Sequence, residues 1–154
     1  MPPPRPTLEQ LARYSEAFNQ SATLSHFGMK VSFPNIDTVE VVLDPVLPQQ
    51  RGGMGSDAVN GGVLAAMFDL VIGCAPALVD PTRRSATVQL SMNFMNGARG
   101  NRIVARAHVT RAGEKLVFAA ASIFDAQGVE CASATGLSRL SSIPWAADGT
   151  PAVN

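Results

Sequence analysis

The stretch that decides the fold is Asn60-Gly61-Gly62-Val63-Leu64-Ala65-Ala66-Met67-Phe68-Asp69-Leu70-Val71-Ile72-Gly73. Between residues 61 and 79 the sole charged side chain is Asp69, and everything else is small or apolar. A helix that is apolar around its whole circumference is expected to be buried on all faces, in protein or in lipid. A carboxylate at its centre then needs a reason, because burying an unpaired charge is expensive. The run approaches the ~20 residues of a membrane span, and Arg83 and Arg84 follow it closely. Against a span, a central Asp costs roughly 2.5–3.5 kcal/mol on insertion. Gly61, Gly62, Gly73 and Pro76 also dilute the hydrophobicity. The Gly-Gly entry and Pro76 read instead as the ends of a helix of about four turns. The expectation is a central helix enclosed by the rest of the chain, with no membrane.

The rest of the chain has the means to enclose it. Its 154 residues suit one domain with a real core. Lys plus Arg and Asp plus Glu both number 12, so the net charge is zero and no bulk field draws in nucleic acid. Cys74 and Cys131 sit in apolar surroundings, as reduced buried thiols do. Residues 1–7 are Pro-rich with no apolar signal region, so they are expected to be a disordered lead and the location cytoplasmic. Thr7 can cap a helix carrying Leu8, Leu11, Tyr14, Ala17 and Phe18 at helical spacing, ending near Ser21, with a turn at 25–28. Residues 29–33 and the β-branched run 38–43 form a hairpin. The long loop 44–59 precedes the central helix, and loops of this length are usually functional.

After Asp80-Pro81 the pattern becomes a meander of strands at 86–94, 102–111, 115–124 and 129–140. In the first, Val88, Leu90, Met92 and Phe94 alternate with Thr87, Gln89, Ser91 and Asn93; in the second, Ile103, Ala105, Ala107 and Val109 point inward. Residues 141–154 are expected to be a loose tail. Two early strands, one apolar helix and four late strands give an α+β fold. The sheet's apolar face has one candidate filler, so an antiparallel sheet wraps around the central helix in a hot-dog arrangement over residues 8–140.

The residues Asn60-Gly61-Gly62, Asp69 and Gly73 also resemble the HGG-x6-D-x3-G segment of the hot-dog acyl-CoA thioesterases of the phenylacetate-degradation (PaaI-like) type. The stretch 87–95 (Thr-Val-Gln-Leu-Ser-Met-Asn-Phe-Met) resembles that family's next strand, and Ala112-Gly113-Glu114-Lys115 its next hairpin. The resemblance implies hydrolysis of an acyl-CoA or aryl-CoA thioester without metal or redox cofactor, coenzyme A being part of the substrate. It implies Gly61 as backbone oxyanion donor, Asp69 as general base or nucleophile, and Thr87 as the hydroxyl that orients water. Asn60 stands where the family has His. Met54 stands where it has a polar loop residue, a role open to Gln49, Gln50 or Asp57.

The chemistry explains the residue types. A helix N-terminus offers unpaired N–H donors and a positive dipole end to a thioester oxyanion, and Gly61 and Gly62 let the carbonyl approach without a Cβ. Each residue also has a structural reading: Asn60 as helix cap, the glycines as a tight helix entry, Asp69 as an acceptor, Thr87 as an ordinary strand residue. Met54, Phe68, Ser91, Asn93 and Lys115 are the candidates for holding substrate, with Lys115 toward the nucleotide; Arg83, Arg84, Arg99, Arg102 and Arg111 are weaker alternatives. The acyl pocket's length depends on Met54, Phe68, Met92, Phe94 and the 44–59 loop. His26 and His108 have no metal-ligand partners in sequence, so no metal is expected.

Gly61 and Asp69 are eight residues apart, about 12 Å along one helix, too far for both to reach one carbonyl. Two antiparallel copies would bring Gly61 of one to Asp69 of the other, so a homodimer with the site at its interface is expected, possibly a dimer of dimers. The rival readings are a non-catalytic acyl-CoA or acyl-ligand binding module on the same fold, and a dehydratase or hydratase, which would call for a His base.

Overall fold

The computed structural model describes residues 4–144. Helix α1 (Leu8–Asn19) opens on a capping box: the Thr7 hydroxyl accepts the Gln10 N–H while the Gln10 side chain accepts the Thr7 N–H. Where the sequence suggested a turn, a second short helix, α2 (Ala22–Phe27), starts on the Ser21 hydroxyl and stops at Gly28, whose φ of 67° suits glycine. Of the proline-rich lead, residues 4–7 are described. Pro6 is buried and Arg5 pairs with Asp37 at 3.2 Å.

The strands are β1 (Met29–Asn35), β2 (Thr38–Leu43), β3 (Arg83–Phe94), β4 (Ile103–Ala112), β5 (Leu116–Phe124) and β6 (Glu130–Pro144). They form one sheet in the order β1-β2-β4-β5-β6-β3, with every pairing antiparallel. The last strand reaches Pro144, so residues 141–144 of the expected tail are strand; residues 145–154 lie outside the described residues.

Helix α3 (Gly61–Cys74) lies in the curve of this sheet and continues into a 3-10 turn, Ala75–Leu78. Met67, Phe68, Val71 and Ile72 are fully buried there. The stretch is apolar and long enough to cross a membrane, yet here it is the core. Close approach depends on Gly136 of β6: a Cβ at that position would stand 2.6 Å from Ile72 Cγ2 and 3.1 Å from the Gln89 carbonyl oxygen. Hydroxyls from the sheet serve the carbonyls toward the helix C-terminus. Ser85 donates to Gly73 O at 2.8 Å, Ser138 to Ile72 O at 3.2 Å, and Thr87 to Asp69 O at 3.4 Å.

Two expectations need correction. The helix is not covered on all faces. Gly61, Gly62 and Asp69 are exposed and Ala65, Ala66 and Gly73 are partly so. Six strands curve around the large apolar side chains and leave a stripe of small residues open. The alternation in β3 also breaks. Thr87 pairs with Ser138 and Gln89 with Leu137, so Val88 is an extra, bulged residue, 58% exposed. The bulge shifts the phase by one. Leu90 and Met92 still pack against the core, while Thr87 faces α3 instead of sharing the outward face of Gln89, Ser91 and Asn93.

The sheet's two edges differ. At the β1 edge, Asn19 of α1 fills both backbone groups of Val31: its amide donates to Val31 O and its oxygen accepts the Val31 N–H, each at 2.8 Å. Among the described residues, no strand lies beyond β3.

Candidate active site

The N-terminus of α3 is fixed by the loop before it. Gln50 is buried: its amide donates to Phe27 O at 2.7 Å and its side-chain oxygen accepts the Leu47 N–H at 2.8 Å. Its carbonyl accepts the Asn60 N–H at 2.9 Å. Arg51 bridges to Val59, and its guanidinium reaches Asp57 O and Asn101 Oδ1, both at 2.8 Å. Of the three residues considered for a polar loop role, Gln50 is therefore structural and Asp57 is paired with Arg99. Gln49 is exposed.

Asn60 caps the helix, its side-chain oxygen accepting the Gly62 N–H at 2.8 Å. The Val63 N–H turns back to the Asn60 carbonyl at 3.0 Å, and the Asn60 N–H goes to Gln50. A helix begins with four N–H groups lacking helical partners. Among the described residues, that leaves the Gly61 N–H as the one donor of the four without an acceptor, on an exposed residue. Gly62, expected to let the carbonyl approach without a Cβ, has its own N–H committed to the cap.

Asp69 lies two turns on, along the open stripe. Its carboxylate makes no hydrogen bond or ion pair among the described residues, and it is exposed rather than desolvated. The reason is the small-residue stripe around it, which no element among the described residues covers. Thr87 stands one strand away with its hydroxyl on the Asp69 carbonyl. Behind this face, Cys74 is fully enclosed. Burial pushes its thiol up to about 12, against a lowering hydrogen bond from the Tyr14 hydroxyl, with the Asp69 charge raising it further. Such a thiol is not a nucleophile.

The substrate candidates scatter. Phe68 is wholly buried against the sheet and has no surface to offer a ligand. Met54 is fully exposed on a loop tip at φ 60°. Ser91 and Asn93 are exposed on the sheet face opposite Leu90 and Met92. Lys115 lies on the β4–β5 turn at the Gly73 end of the helix, its carbonyl accepting the Leu140 N–H. Arg83 holds the carbonyls of Ser141, Leu140 and Glu114, while Arg99 and Arg102 pair with Asp57 and Asp44. Among the described residues, three or more His, Cys, Asp or Glu side chains never gather as a metal site would need.

Phe94, expected to bear on the length of the acyl pocket, stands at the start of α3 itself. Its ring carbon Cε1 lies 4.0 Å from the position a Cβ on Gly61 would take. The ring is 52% exposed, and Met95 beside it 51%. The available signal was a pair of large apolar residues at a strand end, level with the start of the central helix.

Residues 57–132, which hold α3 and most of the strands after it, match the family model described as the thioesterase superfamily. No curated protein matches the chain. Among solved structures, the PaaI protein of the phenylacetic acid degradation operon of E. coli superposes with a TM-score of 0.76 at 16% identity, over 88% of this chain and 96% of its own. A thioesterase from Haemophilus influenzae gives 0.74 at 19%, over 90% and 92%. A protein from Shewanella oneidensis related to the thioesterase superfamily gives 0.74 at 23%, over 86% and 96%. The match over α3 and most of the strands after it identifies residues 57–132 as a segment of the thioesterase superfamily, set on the hot-dog fold that these structures share.

Proposed function

We propose that this protein hydrolyses an acyl-CoA or aryl-CoA thioester at a site shared by two antiparallel copies of α3. The observation that carries this reading is the lone uncommitted Gly61 N–H at the open start of the helix. A thioester carbonyl oxygen bound there gains a donor aligned with the helix dipole as it becomes an oxyanion, worth about 2.7–4 kcal/mol of barrier. Asp69, unpaired on the same open stripe, serves as general base toward water or as nucleophile. The separation of about 12 Å within one chain makes the partner's helix the source of the second group. The unpaired β3 edge and the open stripe support a homodimer, in which both would be covered. Lys115, at the Gly73 end, would then serve the site to which its own Asp69 contributes, taking the nucleotide end of coenzyme A.

The test is thiol release from a panel of acyl-CoA and aryl-CoA esters, wild type beside Asp69→Asn. Turnover that falls at least about 100-fold in the variant supports the reading. Equal low rates in both proteins, with the esters still binding, would mean a ligand-binding module.

A further inference from the structure

We infer that Phe94 is a specificity-determining residue, forming the wall against which the acyl group lies next to the oxyanion donor; this rests on the hydrolase reading above. The ring stands beside the one free N–H of α3, with Cε1 4.0 Å from the Cβ position of Gly61. A carbonyl oxygen held by that N–H places the atoms attached to its carbon within contact of the ring. Two substituents compete for that contact, the sulfur with its pantetheine arm and the acyl group.

The line of side chains favours the acyl group. Phe94, Met92 and Leu90 lie at alternate positions after the Val88 bulge, on the concave side of the sheet. Phe94 is half open, while Met92 and Leu90 are partly buried against the core. An apolar chain entering at Phe94 thus passes toward Met92 and away from water. The pantetheine arm, with its amides and its nucleotide, has to leave toward solvent. Methionine behind an aromatic lip gives a floor that adapts to shape. The half-exposed ring is otherwise unexplained, since Phe94 ends its strand paired with Ala132 and is 52% exposed among the described residues.

The experiment measures kcat and KM for acetyl-, butyryl-, hexanoyl- and benzoyl-CoA with wild type, Phe94→Ala and Phe94→Leu, together with sedimentation of each protein. In Phe94→Ala, kcat/KM for hexanoyl- and benzoyl-CoA is expected to fall about tenfold or more, while acetyl-CoA changes less than about twofold. Phe94→Leu, which keeps apolar contact, should recover most of the hexanoyl rate. An equal loss for all four esters would place the ring on the pantetheine arm and overturn the assignment. So would a change in sedimentation that accounts for the loss, since the ring would then serve assembly. Wild type that cleaves none of the esters would remove the hydrolase reading itself, and this inference with it.

Discussion

Asn60 and Gly62 share a 2.8 Å hydrogen bond that determines which N–H of α3 is left for a ligand. With Gly62 held by the cap, Asn60→Ala should free a second donor and destabilise the domain by about 1 kcal/mol. Asn60→Asp keeps the acceptor and should hold stability, while placing a negative charge beside the Gly61 N–H and slowing thioester cleavage. Urea unfolding and thiol release on the two variants separate the cap from the chemistry.

Gly61→Pro removes the free N–H and sets ring carbons where the carbonyl would approach, while leaving the helix start able to form. Proline is favoured at the first helical position, and Asn60 already has the extended backbone, ψ 139°, that a following proline requires. Stability is expected to stay within about 0.5 kcal/mol of wild type, with kcat down about 100- to 1,000-fold. A Gly61→Pro protein with wild-type turnover would move the oxyanion site elsewhere.

Mixing that variant with Asp69→Asn tests the shared site. Each homodimer lacks one group in both of its sites. A mixed dimer has one site with both groups intact, so unfolding and refolding the two together should restore about a quarter of wild-type activity, by random pairing. No recovery would confine the site to one chain.

Gly136→Ala addresses the sheet–helix packing. The added methyl would stand 2.6 Å from Ile72 Cγ2 in a region with no slack, and a loss of about 1–3 kcal/mol is expected. A thermal melt within a degree of wild type would show that α3 can slide away from β6.

The Tyr14–Cys74 pair makes the fold sensitive to alkali. Burial, and then the neighbouring Cys74, raises the Tyr14 hydroxyl well above its ordinary value of 10.0, and burial takes the Cys74 thiol from 9.0 to about 12. In the fold both keep protons that the unfolded chain releases. The unfolded chain therefore binds fewer protons above about pH 9, and stability falls as the pH rises from there toward 12, at up to about 1.4 kcal/mol per pH unit per group. Urea titrations at pH 8 and pH 10 should show the drop, and Cys74→Ala should flatten it.

The six strands, the central helix and the Thr7 and Asn60 caps were legible because each rests on a local rule: alternation, an apolar run, or an oxygen before a helix. The facing of Thr87 was not. One bulged residue, Val88, reverses the alternation, and a bulge leaves no mark in a strand whose residues already alternate. The open stripe along α3 was read as enclosed because glycine and alanine look as apolar in sequence as leucine does. Their smallness, more than their polarity, decides which face is left uncovered. Phe94 shows the converse: the alternation set it on the apolar face with Met92, and its place at the last position of β3, level with the start of α3, leaves it half in solvent.

The unequal edges of the sheet bear on aggregation. Asn19 occupies the backbone groups of Val31, so strand addition at the β1 side meets a side chain already in place. At the other side, β3 ends the sheet with no strand paired beyond it among the described residues. A chain obstructed at one edge in this way joins a like chain more readily through the other, which favours pairs over growth into a fibre.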